Sequence, residues 1–239
     1  QNPLVPESLV SRIFDFLAPE LNDEKKESML KMLTETDQSH VHTLCELYMR
    51  QERYVDCYDL LLKHVRVENR YADENLVLTY LKVAGKLNHD PVKSSINAIQ
   101  WHPSLDVLLE VKKIFGWVDK TAEALIRERS PTDLLSFYEK EKRLEDALIL
   151  VNELNSFHDS IRFSFFRKHG KLFPKDTEAY LVTRIEQNLN QTGDRYYSRI
   201  AESLDLFRRI NPGRTKLIAE EIRANFKRRR NLMQMIKEF

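Results

Sequence analysis

Apolar residues return every three to four positions along almost the whole chain, and no stretch sustains the period-two alternation of a half-buried strand. Leu9, Ile13, Phe14 and Leu17 set the spacing. Leu44, Leu47 and Tyr48 keep it, and Val107, Leu108, Val111, Ile114 and Phe115 repeat it further on. The pattern breaks where Gly and Pro fall: Pro19, Gly85 to Pro91, Pro103, Gly116, Pro131, Gly170 to Pro174, Gly193 and Pro212-Gly213. Ser130-Pro131, with Asp133 in the first turn, and Asp90-Pro91 read as helix starts. Proline's fixed φ suits the first helical position. With only 5 Gly in 239 residues, the many turns of an all-β chain have no material to be made from. The expectation is about a dozen helices on short connections, packed as antiparallel hairpins.

An internal repeat sharpens this. The segments ELYMRQERYVDCYDLLLKH (46–64) and SFYEKEKRLEDALILVNEL (136–154), 90 residues apart, share Tyr48/Tyr138, Arg53/Arg143, Asp56/Asp146 and Leu60/Leu150. In each, a polar tetrapeptide follows a helix bearing the tyrosine, and a large residue (Tyr54, Leu144) stands three before a small one (Cys57, Ala147). Close approach of two helices needs a small side chain where its neighbour presents a ring. The unit resembles the helix-turn-helix of tetratricopeptide-like repeats. That resemblance implies an all-α architecture, an α-solenoid of stacked hairpins whose concave surface binds other proteins. Residues 1–193 are expected to form this body and 194–239 its capping helices, as one continuous superhelix.

The end of the chain differs in charge. Residues 195–239 hold 12 Lys and Arg against 5 Asp and Glu, whereas the preceding 194 hold 26 against 32, for a net charge of +1. The run DRYYSRIAESLDLFRRI (194–210), the Pro212-Gly213 break and the closing FKRRRNLMQMIKEF (226–239) resemble the helical C-terminal region of prokaryotic SWIM zinc-finger proteins. An arginine block (Lys227, Arg228, Arg229, Arg230) is followed by Leu232 and Met233. The zinc module of that family, a Cys-x-Cys followed by a Cys-x-His, is absent from these residues, so its metal and DNA-binding roles do not carry over. Because residue 1 is Gln and the chain closes on an amphipathic helix, it reads as the C-terminal piece of a longer protein.

The closing helix is expected to run unbroken through the arginine block. Four consecutive cations then spread over about 300° of arc, so they cannot share one face. Ile218, Ile222, Phe226, Met233 and Ile236 mark its buried stripe. Arg229 or Arg230 falls beside the stripe and should pair with a carboxylate of the preceding helix. Lys227, Arg228, Arg229, Arg230, Arg208 and Arg209 are the candidate contacts to an anion or nucleic acid.

Other chemistry is sparse. His40-x-His42-x-x-Cys45, with His64 folding back, is the best metal pattern, but four tetrahedral ligands are not assembled in sequence and no metal is expected. Carboxylates at Glu20/Asp23/Glu24, Glu123 and Glu220/Glu221 are interleaved with Lys and Arg, as on solvated helix faces. No nucleophile elbow, phosphate-cradling Gly loop or dinucleotide fingerprint occurs. No catalytic residue, cofactor or small-molecule substrate is therefore assigned. Two cysteines, Cys45 and Cys57, suit a reducing compartment, cytoplasmic or nuclear, and no apolar run predicts membrane insertion. The expected function is a non-catalytic protein-interaction scaffold. The alternatives are a nucleic-acid-associated accessory domain using the basic end and a coat- or tether-type module of vesicle traffic.

Overall fold

The computed structural model describes residues 14, 18–37, 39–65 and 72–239. Leu9, Ile13 and Leu17, the start of the expected first helix, lie outside them. Among the described residues there are fourteen α-helices and no strand. They are α1 Asp23–Thr36, α2 Ser39–Arg50, α3 Tyr54–Val65, α4 Glu74–Lys86, α5 Pro91–Trp101, α6 Leu105–Phe115 and α7 Lys120–Arg129. There follow α8 Pro131–Lys140, α9 Leu144–Glu153, α10 Asp159–His169, α11 Pro174–Leu189, α12 Asp194–Ile210, α13 Pro212–Phe226 and α14 Arg230–Met235.

The boundaries have local causes. Asp73, Asp90, Ser104 and Asp119 accept from first-turn amides of α4, α5, α6 and α7, each satisfying donors that the helix itself leaves open. Four helices carry Pro in the first turn. Gly116 closes α6 at φ 82°, a left-handed conformation that favours a residue without Cβ.

Contacts divide the chain into two compact units, Gln1–Leu150 and Val151–Phe239, the division falling inside α9. The 193/194 position lies within the second unit, in the connection between α11 and α12. In the first unit α1 to α6 pack each on the next, as α7 does on α8; the alternate helices α2, α4, α6 and α8 also pack in succession, as α5 does on α7. Val41, Leu44, Leu61, Val77, Leu81, Ala98, Val107 and Ile126 are fully buried between these layers.

The repeat is a repeat of atoms as well as letters. At the α2/α3 turn, Arg53 N–H donates to Tyr48 O at 2.9 Å, and Glu52 stands at φ 59°. At the α8/α9 turn, Arg143 N–H donates to Tyr138 O at 2.9 Å, and Lys142 stands at φ 59°. Arg53 lies over Tyr48, donates Nε to Asp56 at 2.7 Å, and grips Glu27 of α1 through both terminal nitrogens. Arg143 lies over Tyr138, donates Nε to Asp146 at 2.7 Å, and grips Glu123 of α7 in the same way. Each tyrosine hydroxyl donates to the same glutamate as its arginine. The glutamate stands 21 residues before Tyr48 but 15 before Tyr138. Glu123 is thus part of a lock, with 13% of its side chain exposed, and not a member of a solvated face. Cys57 and Ala147 are fully buried at matching places; Leu150 is buried and Leu60 half-buried. A third turn, α4/α5, repeats the backbone: His89 N–H donates to Ala84 O at 3.0 Å and Asn88 has φ 53°.

The second unit closes around α12, which packs on α11, α13 and α14. Ile185, Tyr197, Ile200, Leu204, Ile222, Leu232 and Ile236 form its core, with Leu189, Ile218, Phe226 and Phe239 against it.

Candidate functional site

The arginine block does not lie within a helix. α13 ends at Phe226, Lys227 and Arg228 form a turn, and α14 begins at Arg230. This corrects the unbroken final helix. Arg229, at φ −87° and ψ 80°, bends the chain so that Leu232 and Ile236 re-enter the core carrying Ile222.

The arginine that turns inward is Arg229, and its partner is not a carboxylate. Its guanidinium lies 4.7 Å from the Phe226 centroid and donates to Leu189 O at 2.7 Å and Gln191 O at 3.0 Å. These carbonyls sit at the C-terminus of α11, where the last helical carbonyls lack intrahelical donors and the backbone dipole favours a cation. Of the two arginines expected beside the stripe only Arg229 turns in, and its acceptors are carbonyls where a carboxylate was expected, because spacing says nothing about which carbonyls a neighbouring helix leaves open. Lys227, Arg228 and Arg230 are exposed and have no ion-pair partner among the described residues. Arg208 and Arg209 share Asp205 at 2.9 and 2.5 Å, and Arg208 also lies over Phe239.

The clearest recognition geometry is an apolar trough between α11 and α13. Asn211 Nδ2 and Arg214 Nη1 donate to Glu178 near one end, and Arg229 reaches Leu189 O near the other. The two helices therefore run side by side in one direction, both seated on α12. Val182, Ile185 and Leu189 face Leu217, Ile218, Ile222 and Phe226 across a cavity of about 310 Å³. Leu217 is 66% exposed. Glu186 on one rim and Glu221 on the other are exposed and have no ion-pair partner among the described residues. At the mouth, Arg214 is held by Glu178, with Lys175 beside it.

Of the trough residues the sequence marks Ile218, Ile222 and Phe226 as core, Glu221 as part of a solvated face and Arg214 as a cation near the basic block; Val182, Ile185, Glu186, Leu189 and Leu217 carry no such mark. A signal existed in Leu217, which is apolar yet about 100° around the helix from Ile218. It marks a second apolar face that a core stripe alone does not need.

The histidine and cysteine pattern is dispersed. His40 is buried edge-on against Phe14, with its ring centroid 6.0 Å away and Asp37 beside it. His42 faces Glu46 on the outside of α2. Cys45 and Cys57 are both free and buried, the Cys57 thiol donating toward Cys45 O. The neighbouring Cys57 thiol and burial together hold the Cys45 thiol well above its ordinary range. Burial pulls His64 below the usual imidazole value. Among the described residues no three His, Cys, Asp or Glu side chains gather as a metal-binding group, and no helix is long and apolar enough to cross a membrane.

Compared with known proteins, the chain matches no protein-family model. No curated protein matches it either.

Proposed function

We propose that the chain is a non-catalytic protein-interaction scaffold whose second unit receives an amphipathic helix of a partner protein in the trough between α11 and α13. The observation that carries this is the pairing of an apolar floor with two opposed, unpartnered carboxylates, Glu186 and Glu221, on its rims. Burying Leu217 and its neighbours removes apolar surface from water, worth roughly 25 cal/mol per Å². The rim carboxylates then select an occupant carrying Lys or Arg beside its apolar stripe, because like charges there are rejected. From Val182 to Leu189 the floor is about 10 Å long at ~1.5 Å per residue. That length takes two turns of a helix read at positions i, i+3 or i+4, and i+7.

The test is a pair of synthetic helical peptides with one leucine stripe, flanked by Lys in one and by Glu in the other, titrated against the isotope-labelled chain. The Lys-flanked peptide should shift the methyl resonances of Val182, Ile185 and Leu217, and Leu217→Asp should abolish the effect. Equal binding of both peptides would remove the charge argument. Self-association abolished by Leu217→Asp would replace the partner by a second copy.

A nucleic-acid reading keeps one supporting observation, the three exposed cations Lys227 and Arg228, in the turn after α13, and Arg230, the first residue of α14. They stand near one bend, whereas duplex binding draws on cations ranged along a phosphate backbone. The trough therefore carries the stronger argument.

A further inference from the structure

A larger cavity, about 680 Å³, opens between α10 and α12 with Arg184 of α11 among its lining residues. Five arginines and three carboxylates line it. The fold accounts for some of these charges and leaves others without a structural role. Arg184 is 4% exposed. It donates to Asp159 at 3.0 Å, to Ser203 Oγ at 2.6 Å and to Arg199 O at 2.9 Å, and its guanidinium lies 4.1 Å from the Phe163 centroid. Asp159 is thereby neutralised, with Tyr180 Oη donating to it as well at 2.7 Å. Glu202 lies 3.5 Å from the same guanidinium, and Asp205 is held between Arg208 and Arg209. Every carboxylate on the cavity wall has a cationic partner.

Arg167, Arg195 and Arg199 do not. None has an ion-pair partner among the described residues, yet all three line this one cavity. Arg195 and Arg199 are one helical turn apart, a like-charge spacing that disfavours the helix by a few tenths of a kcal/mol. Folding gains nothing from gathering them. A bound anion would.

We infer that this cavity binds a phosphate monoester. A planar guanidinium presents parallel N–H donors that match phosphate oxygens two at a time. A monoester carries about −1.5 to −2 charge at pH 7, enough to engage more than one of the three. Ser160 and Ser164 place hydroxyls on the α10 wall. A nucleic-acid backbone offers single charges strung along a track, whereas these arginines surround one concavity. The site is separate from the trough, so either assignment can fail without the other.

The test titrates the whole chain with inorganic phosphate and with a phosphoserine peptide and its serine twin, following arginine Nε–H resonances and the heat of binding. Both phosphate probes should bind and shift Arg195 and Arg199, and the serine twin should not. The double variant R195Q/R199Q should weaken binding about tenfold for each bidentate pair lost, at unchanged melting temperature. If that variant loses helicity, R167Q on the opposite wall supplies the same test. A peptide that outbinds inorganic phosphate identifies a partner's phosphorylated side chain as the source; equal binding identifies a soluble monoester. Absence of saturable binding, binding undiminished in the variants, or a single-stranded RNA that outcompetes both probes overturns the assignment.

Discussion

Arg143 lies with its guanidinium 4.5 Å from the ring centroid of Tyr138, and Arg53 stands at the same 4.5 Å from Tyr48. Ring, guanidinium and glutamate form a closed triangle in both hairpins, since each tyrosine hydroxyl and each arginine meet one carboxylate. Hydrogen bonds to a charged acceptor are stronger than neutral ones. Tyr138→Phe should therefore lower stability by about 1–2 kcal/mol. In a double-mutant cycle with Glu123→Gln the two losses should be non-additive, as expected for partners in contact. Strict additivity in chemical denaturation would show that the triangle does not act as a unit.

The first lock has a pH signature. Hydrogen bonds from Arg53 and then Lys31 hold the Glu27 carboxyl down from its ordinary 4.5 to about 2. The folded chain thus keeps this group ionised where the unfolded chain has already taken up a proton. The stability it contributes is fully present above pH 4.5 and is lost as the pH falls toward about 2. Melting curves of the wild type and Glu27→Gln should differ at pH 7 and converge on acidification through that window. A gap that stays constant to pH 2 would contradict the assignment.

Lys142 holds a left-handed backbone at φ 59° in the turn beside Arg143. A residue with a Cβ is strained there, so Lys142→Gly should stabilise the chain by about 0.5–1 kcal/mol. Lys142→Val should destabilise it. Thermal denaturation of the two variants decides the matter, and a stabilising valine would show that the turn tolerates branching at that φ.

The four cations of the terminal block separate into one structural residue and three free ones. Arg229→Gln removes the donors to Leu189 O and Gln191 O and should cost about 1–2 kcal/mol. The triple change of Lys227, Arg228 and Arg230 to Gln should leave the melting temperature nearly unchanged. Filter binding of duplex and single-stranded nucleic acid over a salt series adds the functional arm. Salt-steep affinity in the wild type that vanishes in the triple variant would favour the nucleic-acid reading over the trough.

Helix class and breaks were legible because they depend on local physics: a period, and a proline in the first turn. Half of each lock was legible too, since Tyr48, Arg53 and Asp56 recur in fixed register at Tyr138, Arg143 and Asp146. Glu27 and Glu123 were not, because each comes from a helix outside the repeated segment, at a separation that differs between the copies. The α4/α5 turn hid for a related reason. It keeps the backbone of the others while Ala84 and His89 occupy the places of tyrosine and arginine. The bend at Arg229 is invisible in a run of residues that all tolerate a helix. The trough arises only once α11 and α13 are laid against α12.

The unequal separations, 21 residues from Glu27 to Tyr48 and 15 from Glu123 to Tyr138, bear on how a chain of this kind can change over generations. A clasp whose acid arrives from the preceding helix constrains where that acid ends up, not how much chain lies between. Insertions and deletions in the connection before the tyrosine-bearing helix should be tolerated, whereas a single residue added between Tyr138 and Arg143 breaks the carbonyl-to-amide bond and rotates the guanidinium away from its ring. Related sequences should show their gaps in the first place and almost none in the second.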